Sequence, residues 1–272
     1  MQRSDDMKEI LVRSASGLVF ISIIISSFLG GPWYVGAAFL FFSLLAALEY
    51  VKLAKLQSQG TWFIIATLII YILSFLVAVG EASFELLWLA VPIMIVTAFG
   101  EILSKKEVSD GSTCRMIFGL LYIGGAFSLI TWLTLINGTY VWQIALGSFV
   151  LLWINDTGAF LVGSAIGKHK IIPHVSPGKS WEGLFGGMLL ALTGGWVLSL
   201  VWIESSLNQW LVIALICSTI GTIGDLFESK LKRRSGVKDS GKIMPGHGGM
   251  LDRFDALLFV IPCVYCFLKL TA

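Results

Sequence analysis

Long apolar runs, cut apart by short polar clusters, fill most of this chain. Nine can be marked out, near residues 14–30, 33–53, 62–80, 86–103, 115–136, 140–162, 183–203, 208–228 and 250–270. A helix needs roughly 20 apolar residues to cross a bilayer core. Within that core every backbone N–H and C=O must be paired internally, which leaves helices and closed barrels as the only spanning forms. A barrel would show alternating segments of about ten residues, and these runs do not alternate. The expected fold is therefore all-α: a polytopic integral membrane protein of about nine spans. Composition agrees, with 13% charged residues against about 25% in soluble domains. The first run lacks a small-x-small cleavage site and reads as a retained span. Gly30, Gly31 and Pro32 leave room only for a tight hairpin between the first two spans.

Charge fixes the expected orientation. With nine spans and the N-terminus in the cytoplasm, 18 of the 19 Lys and Arg residues fall on the cytoplasmic side, and only Lys269 falls outside. The outer loops carry Glu81, Glu85 and Glu204. This is the positive-inside pattern, and a different span count would scramble it. The C-terminus is then expected on the outer side, in the cytoplasmic (inner) membrane. Residues 1–139 have short, bland loops and read as scaffold helices. Residues 140–272 have long, polar cytoplasmic loops and read as the working half of one continuous membrane domain.

Intramembrane carboxylates are costly and usually functional. Asp156 and Asp225 lie near the cytoplasmic ends of their spans. Glu228 shares a helix face with Asp225 at i,i+3, and Asp252 and Asp255 begin the last span three residues apart. The topology puts all five at one depth on one side of the membrane. Converging carboxylates need neutralising, by basic side chains or by metal. All-oxygen ligands without a His or Cys cluster suit Mg²⁺. The neighbouring loops suit phosphate: Lys168, Ser176, Lys179 and Ser180 lie just before the seventh span, and a basic loop over 230–249 adds Lys232, Arg233 and Lys238. Gly246, Gly248 and Gly249 lead into a helix start, where backbone N–H groups can approach an anion. Competing readings are ordinary: basic residues as topology signals, Glu228 as an i,i+4 partner of Lys232, Asp255 as a cap or a partner of Arg253. His247 reads as functional, Glu49 and Glu101 as interfacial, and Cys263-x-x-Cys266 as packing.

The stretch SKLKRRSGVKDSGKIMPGHGGMLDRFD (229–255) closely resembles the signature of the phosphatidate cytidylyltransferases, also called CDP-diglyceride synthases. The matching positions are Ser229, Lys232, Arg233, Lys238, Asp239, Pro245, His247, Gly248, Gly249, Asp252, Arg253 and Asp255. NDTGAFLVGSAIGKHKI and VSPGKSWEG are similar to two further stretches of that family. The likeness is sharp over 150–260; before residue 140 it rests on hydropathy and span count. It departs at Gly178, where a second lysine is common, at Ser180, where Thr is frequent, and at Met244, where Leu or Ile is usual. The resemblance implies CTP and phosphatidate as substrates, CDP-diacylglycerol and pyrophosphate as products, and a metal-dependent in-line attack. It implies Asp225 and Asp252 as metal ligands, with Asp156, Glu228 and Asp255 beside them and room for a second cation. Lys179, Lys238, Arg253 and His247 would hold phosphates. A homodimer is compatible with the family, and no nucleic-acid partner is expected. The rival readings are another membrane phosphotransferase, such as a CTP-dependent polyprenol or phytol kinase or a phosphosugar–polyprenol transferase, and a transporter.

Overall fold

A computed structural model describes residues 2–56, 60–80, 112–136, 138–203, 205–246 and 248–271. The described residues form helices, with two isolated β-bridges, Lys170 with Ser180 and Met244 with Gly248. Among the described residues eight helical stretches, two of them built of more than one element, are long and apolar enough to cross a membrane, so this is a multi-pass membrane protein. The predicted span at 86–103, and Glu101 within it, lie outside the described residues.

The helices follow the apolar runs closely. Helix α1 (Gln2–Gly30) turns directly into α2 (Pro32–Leu53). Gly31 makes the turn at φ +104°, a value that side-chain-bearing residues avoid. Pro32 opens α2, where its missing N–H costs no hydrogen bond. Helix α3 (Gly60–Val79) packs on α2. The next span is built of α4 (Ser112–Gly119), a π-helical turn (Leu120–Gly125) and α5 (Ala126–Thr134). Then come α6 (Gln143–Ile166), α7 (Trp181–Val201), α8 (Leu207–Arg234), the single turn α9 (Leu251–Phe254) and α10 (Leu257–Thr271).

Two elements depart from the sequence expectation. The basic residues 230–234 are not loop: α8 runs on to Arg234. Nothing in SKLKRR breaks a helix, and three cations in the last turn complement its dipole. Ser206 and Gln209 close a capping box at its other end. The last span is not one helix but α9 and α10, broken at Asp255 and Ala256. Gly224 of α8 sits against this break, so close that an added Cβ would lie 2.6 Å from the Asp255 carbonyl oxygen.

Phe254, fully buried in α9, anchors the break. Its ring packs against Phe20, Phe39, Phe42, Phe127 and Phe149, at centroid separations of 5.0 to 6.2 Å. Those rings come from α1, α2, α5 and α6, so the aromatic core ties both halves of the chain to one turn. Helices α6 and α7 are held close by small residues. A Cβ at Gly187 would lie 2.6 Å from the Asn155 carbonyl oxygen, and one at Gly158 would lie 3.1 Å from the Cα of Gly187. Such contacts are how membrane helices gain packing without a hydrophobic drive between them.

Candidate active site

Three of the carboxylates that the sequence singled out stand on three separate elements. Asp156 projects from α6. Asp225 projects from α8, one residue after the glycine that seats the helix break. Asp255 lies in the break itself. Asp156 lines one cavity together with Asp225 and a second together with Asp255. Asp255 Oδ1 accepts a hydrogen bond from the Ala256 N–H (2.8 Å), closing the break locally.

Two cavities adjoin the cluster, and Asp156 lines both. One, of about 280 Å³, lies among α6, α7 and α8 and is edged by Asp156, Phe160, Lys179, Ser180, Thr222 and Asp225. The other, of about 220 Å³, lies between α1 and α6. Its walls are apolar, with Phe20, Ile21, Phe149 and Trp153, and Arg253 and Asp255 line it too.

Two ammonium groups pair with three of the acids, Asp225, Glu228 and Asp252. Lys179 Nζ stands 2.5 Å from Asp225 Oδ2. Asp225 Oδ1 also accepts from the Ser229 hydroxyl (3.3 Å). Lys232 Nζ bridges Glu228 Oε2 (2.5 Å) and Asp252 Oδ1 (2.6 Å). Glu228 is wholly buried, Asp252 nearly so, and Lys232 is partly buried, so this is a largely desolvated triad rather than a surface pair. The i,i+4 partnership of Glu228 and Lys232 is present, and the helical path of residues 228–232 is what creates it. The other oxygen of Asp252, Oδ2, accepts from the Ser240 N–H (2.9 Å) and the Gly249 N–H (2.8 Å) and lies 2.9 Å from the Ser240 hydroxyl oxygen. Asp252 thus binds the glycine-rich loop to the start of the last span.

That loop is shaped by backbone as much as by side chains. Gly246 and Gly248 have φ of +73° and +85°. The Met244 N–H donates to the Gly248 carbonyl (3.0 Å), closing a tight turn. From α1, the Ser16 hydroxyl donates to the Pro245 carbonyl (2.9 Å). His247 lies outside the described residues. The second loop, 167–180, is pinned at its ends: the Ile171 N–H donates to the Lys179 carbonyl (3.2 Å) and the Trp181 N–H to the His169 carbonyl (2.9 Å). Ser180 caps α7 by accepting from the Gly183 N–H (3.1 Å), so its hydroxyl is engaged in structure. Ser176 forms the turn that presents Lys179. Lys168, Arg233 and Lys238 are exposed.

One contributor was missed. Glu49 of α2, expected at the interface, is 2% exposed. Its carboxylate accepts from the N–H groups of Met250 (3.0 Å) and Leu251 (2.8 Å) and from the Ser240 hydroxyl (2.9 Å). The signal was available: Glu49 is an acid inside the apolar run LLAALEYV, and the rule that flagged Asp156 applies equally to it.

The cytidylyltransferase family model matches residues 11–271. The chain belongs to that family. It is 34% identical to a phosphatidate cytidylyltransferase of Staphylococcus haemolyticus over 259 residues, which cover 92% of this chain and 96% of that one. It is 39% and 40% identical to proteins of the same name from Staphylococcus epidermidis and Staphylococcus aureus, over 163 residues in each case. That match spans 61% of their length. A cytidylyltransferase moves a nucleotide between phosphate groups, and the site offers both charges that this requires. The ammonium groups of Lys179 and Lys232 stand beside the carboxylates of Asp225 and Asp252. Among the described residues no three Asp, Glu, His or Cys side chains already converge on one point. The donor chemistry nonetheless fits Mg²⁺, which takes one or two carboxylates and completes its shell with water and substrate phosphates.

Proposed function

We propose that this chain is a phosphatidate cytidylyltransferase, joining CTP and phosphatidate to give CDP-diacylglycerol and pyrophosphate. The observation that carries the reading is the pair of cavities sharing Asp156. One has two apolar walls, from α1 and α6, and is also lined by Asp156, Asp252, Arg253 and Asp255, as suits a lipid whose phosphate head meets Arg253 and cation-binding acids. The other holds Lys179 and Asp225 beside a polar loop, as suits a nucleotide triphosphate. The full-length likeness to the S. haemolyticus enzyme supports the same substrates.

A phosphatidate oxygen attacks the α-phosphorus of CTP. That P–O bond forms as the bond from the α-phosphorus to the bridging oxygen breaks, and pyrophosphate leaves with the electron pair. The attacking phosphate is already nucleophilic, so the protein's work is positioning and charge neutralisation. Mg²⁺, when bound through Asp225 and Asp252 with Asp156, Glu228 or Asp255 beside them, would withdraw charge from the reacting phosphates. Lys179 and Arg253 orient phosphate oxygens from the two cavities. Lys232, itself paired with Glu228, and the N–H groups of Ser240 and Gly249 hold Asp252 in place at the end of the glycine-rich loop. The charge segregation supports nine spans, an N-terminus in the cytoplasm, a C-terminus outside, and a site at the cytoplasmic face of the inner membrane.

The test uses purified protein in phosphatidate-containing micelles with Mg²⁺ and labelled CTP. Equimolar CDP-diacylglycerol and pyrophosphate are expected. Release of CDP with a newly phosphorylated lipid would replace the reading with a CTP-dependent lipid kinase.

A further inference from the structure

We propose that Glu49, on the second span and outside every recognisable motif, is a positioning residue that seats the glycine-rich loop and through it sets the place of Asp252. The proposal rests on the cytidylyltransferase reading for its kinetic consequence, but not for its structural one.

Three donors converge on this one carboxylate: the N–H groups of Met250 and Leu251, and the Ser240 hydroxyl. The Ser240 oxygen also contacts Asp252 Oδ2, so it bridges the two acids. The Gly249 N–H, beside Met250, completes the hold on Asp252. Every backbone or hydroxyl group that fixes Asp252 Oδ2 is therefore within one residue of a group fixed by Glu49. The fit is steric as well. A Cβ at Gly241 would collide with Glu49 Oε1, and one at Gly249 would meet Glu49 Oε2. The loop is shaped to lie directly on this carboxylate.

The chemistry requires an acid. A carboxylate offers only acceptors, whereas a carboxamide would turn an NH₂ toward at least one of the three donors. Hydrogen bonds to an ionised acceptor are about twice as strong as neutral ones. Glutamine at this position keeps the volume and loses the match. Aspartate keeps the charge but is shorter by one methylene.

The experiment compares wild type, Glu49→Gln, Ser240→Ala and the double variant, in mixed micelles. Amide hydrogen exchange over 238–252 is read first, because it needs no turnover. Faster exchange confined to this segment in Glu49→Gln, with span protection unchanged, is the expected result. Kinetically, kcat should fall about 10- to 100-fold with KM for CTP within about threefold, since tens-fold losses follow from small displacements of reacting groups. The Ser240→Ala loss should be smaller, and the double variant should lose less than the product of the singles, as for groups in one network. Unchanged exchange and kcat in Glu49→Gln would overturn the proposal. So would accelerated exchange throughout all spans, which would make Glu49 a general stabiliser. If Glu49→Gln fails to fold, Ser240→Ala decides alone: protection over 238–252 that stays at the wild-type level overturns the proposal. Should wild type itself lack cytidylyl transfer, the exchange data still decide the seating of the loop, and only the functional reading falls.

Discussion

Replacing Lys232 with methionine tests the electrostatic design of the site most directly. Lys232 Nζ lies 2.5 Å from Glu228 Oε2 and 2.6 Å from Asp252 Oδ1, so those two oxygens are at most about 5 Å apart. Their side chains are 0% and 6% exposed. Methionine fills the same space and removes the charge, which leaves two buried carboxylates facing each other. At an effective dielectric constant of about 20, two unit charges 5 Å apart repel by about 3 kcal/mol. Removing one partner of a buried ion pair costs about 3–5 kcal/mol on general grounds. Lys232→Met should therefore lose about 3–5 kcal/mol, read by SDS unfolding in mixed micelles through the fluorescence of the chain's 10 tryptophans. Adding Glu228→Gln removes one of the two facing charges, and the double variant should regain about 1–3 kcal/mol. A Lys232→Met loss under about 0.5 kcal/mol, or no recovery on adding Glu228→Gln, would refute the account of Lys232 as the shared counter-ion.

Lys179→Ala should behave differently. Lys179 and Asp225 are 25% and 35% exposed, so stability should change by less than about 1 kcal/mol, while initial rates with CTP fall at least tenfold. Gly187→Ala places a methyl 2.6 Å from the Asn155 carbonyl and should part α6 from α7, at about 1–3 kcal/mol; Gly178→Ala, where a Cβ meets nothing within 4 Å, is the neutral control. Chelation with EDTA should stop turnover, Mg²⁺ should restore it, and Ca²⁺ should restore it poorly, because Ca²⁺ binds oxygen at about 2.3–2.6 Å and Mg²⁺ at about 2.0–2.1 Å.

The spans were legible because burial in lipid writes itself into sequence as unbroken apolar length. Asp156, Asp225 and Asp255 were legible as acids where acids are costly. Three features were not. The extension of α8 to Arg234 was hidden because apolar periodicity stops at the membrane surface while the backbone continues. The break at Asp255 was hidden because neither Asp255 nor Ala256 is a helix breaker; the close seat of Gly224 and the aromatic pocket around Phe254 accompany it, and both are tertiary. The partner of Glu49 lies 201 residues along the chain, beyond any local pattern. The Glu228–Lys232 pairing was legible as an i,i+4 spacing, whereas the contact of Lys232 with Asp252, 20 residues on, is tertiary.

The reach of Glu49 across the chain also bears on how the protein is made. The carboxylate enters the membrane with the second span, and its amide donors emerge from the ribosome 201 and 202 residues later. Until then an acid near the end of an apolar span has no partner among those donors, a condition that membranes tolerate poorly. Every nascent chain therefore carries a mark of incompleteness, and finishing the last span erases it. Truncations ending at residue 237 should be degraded faster than the same truncations bearing Glu49→Leu; equal half-lives in a pulse-chase would show that the mark goes unread.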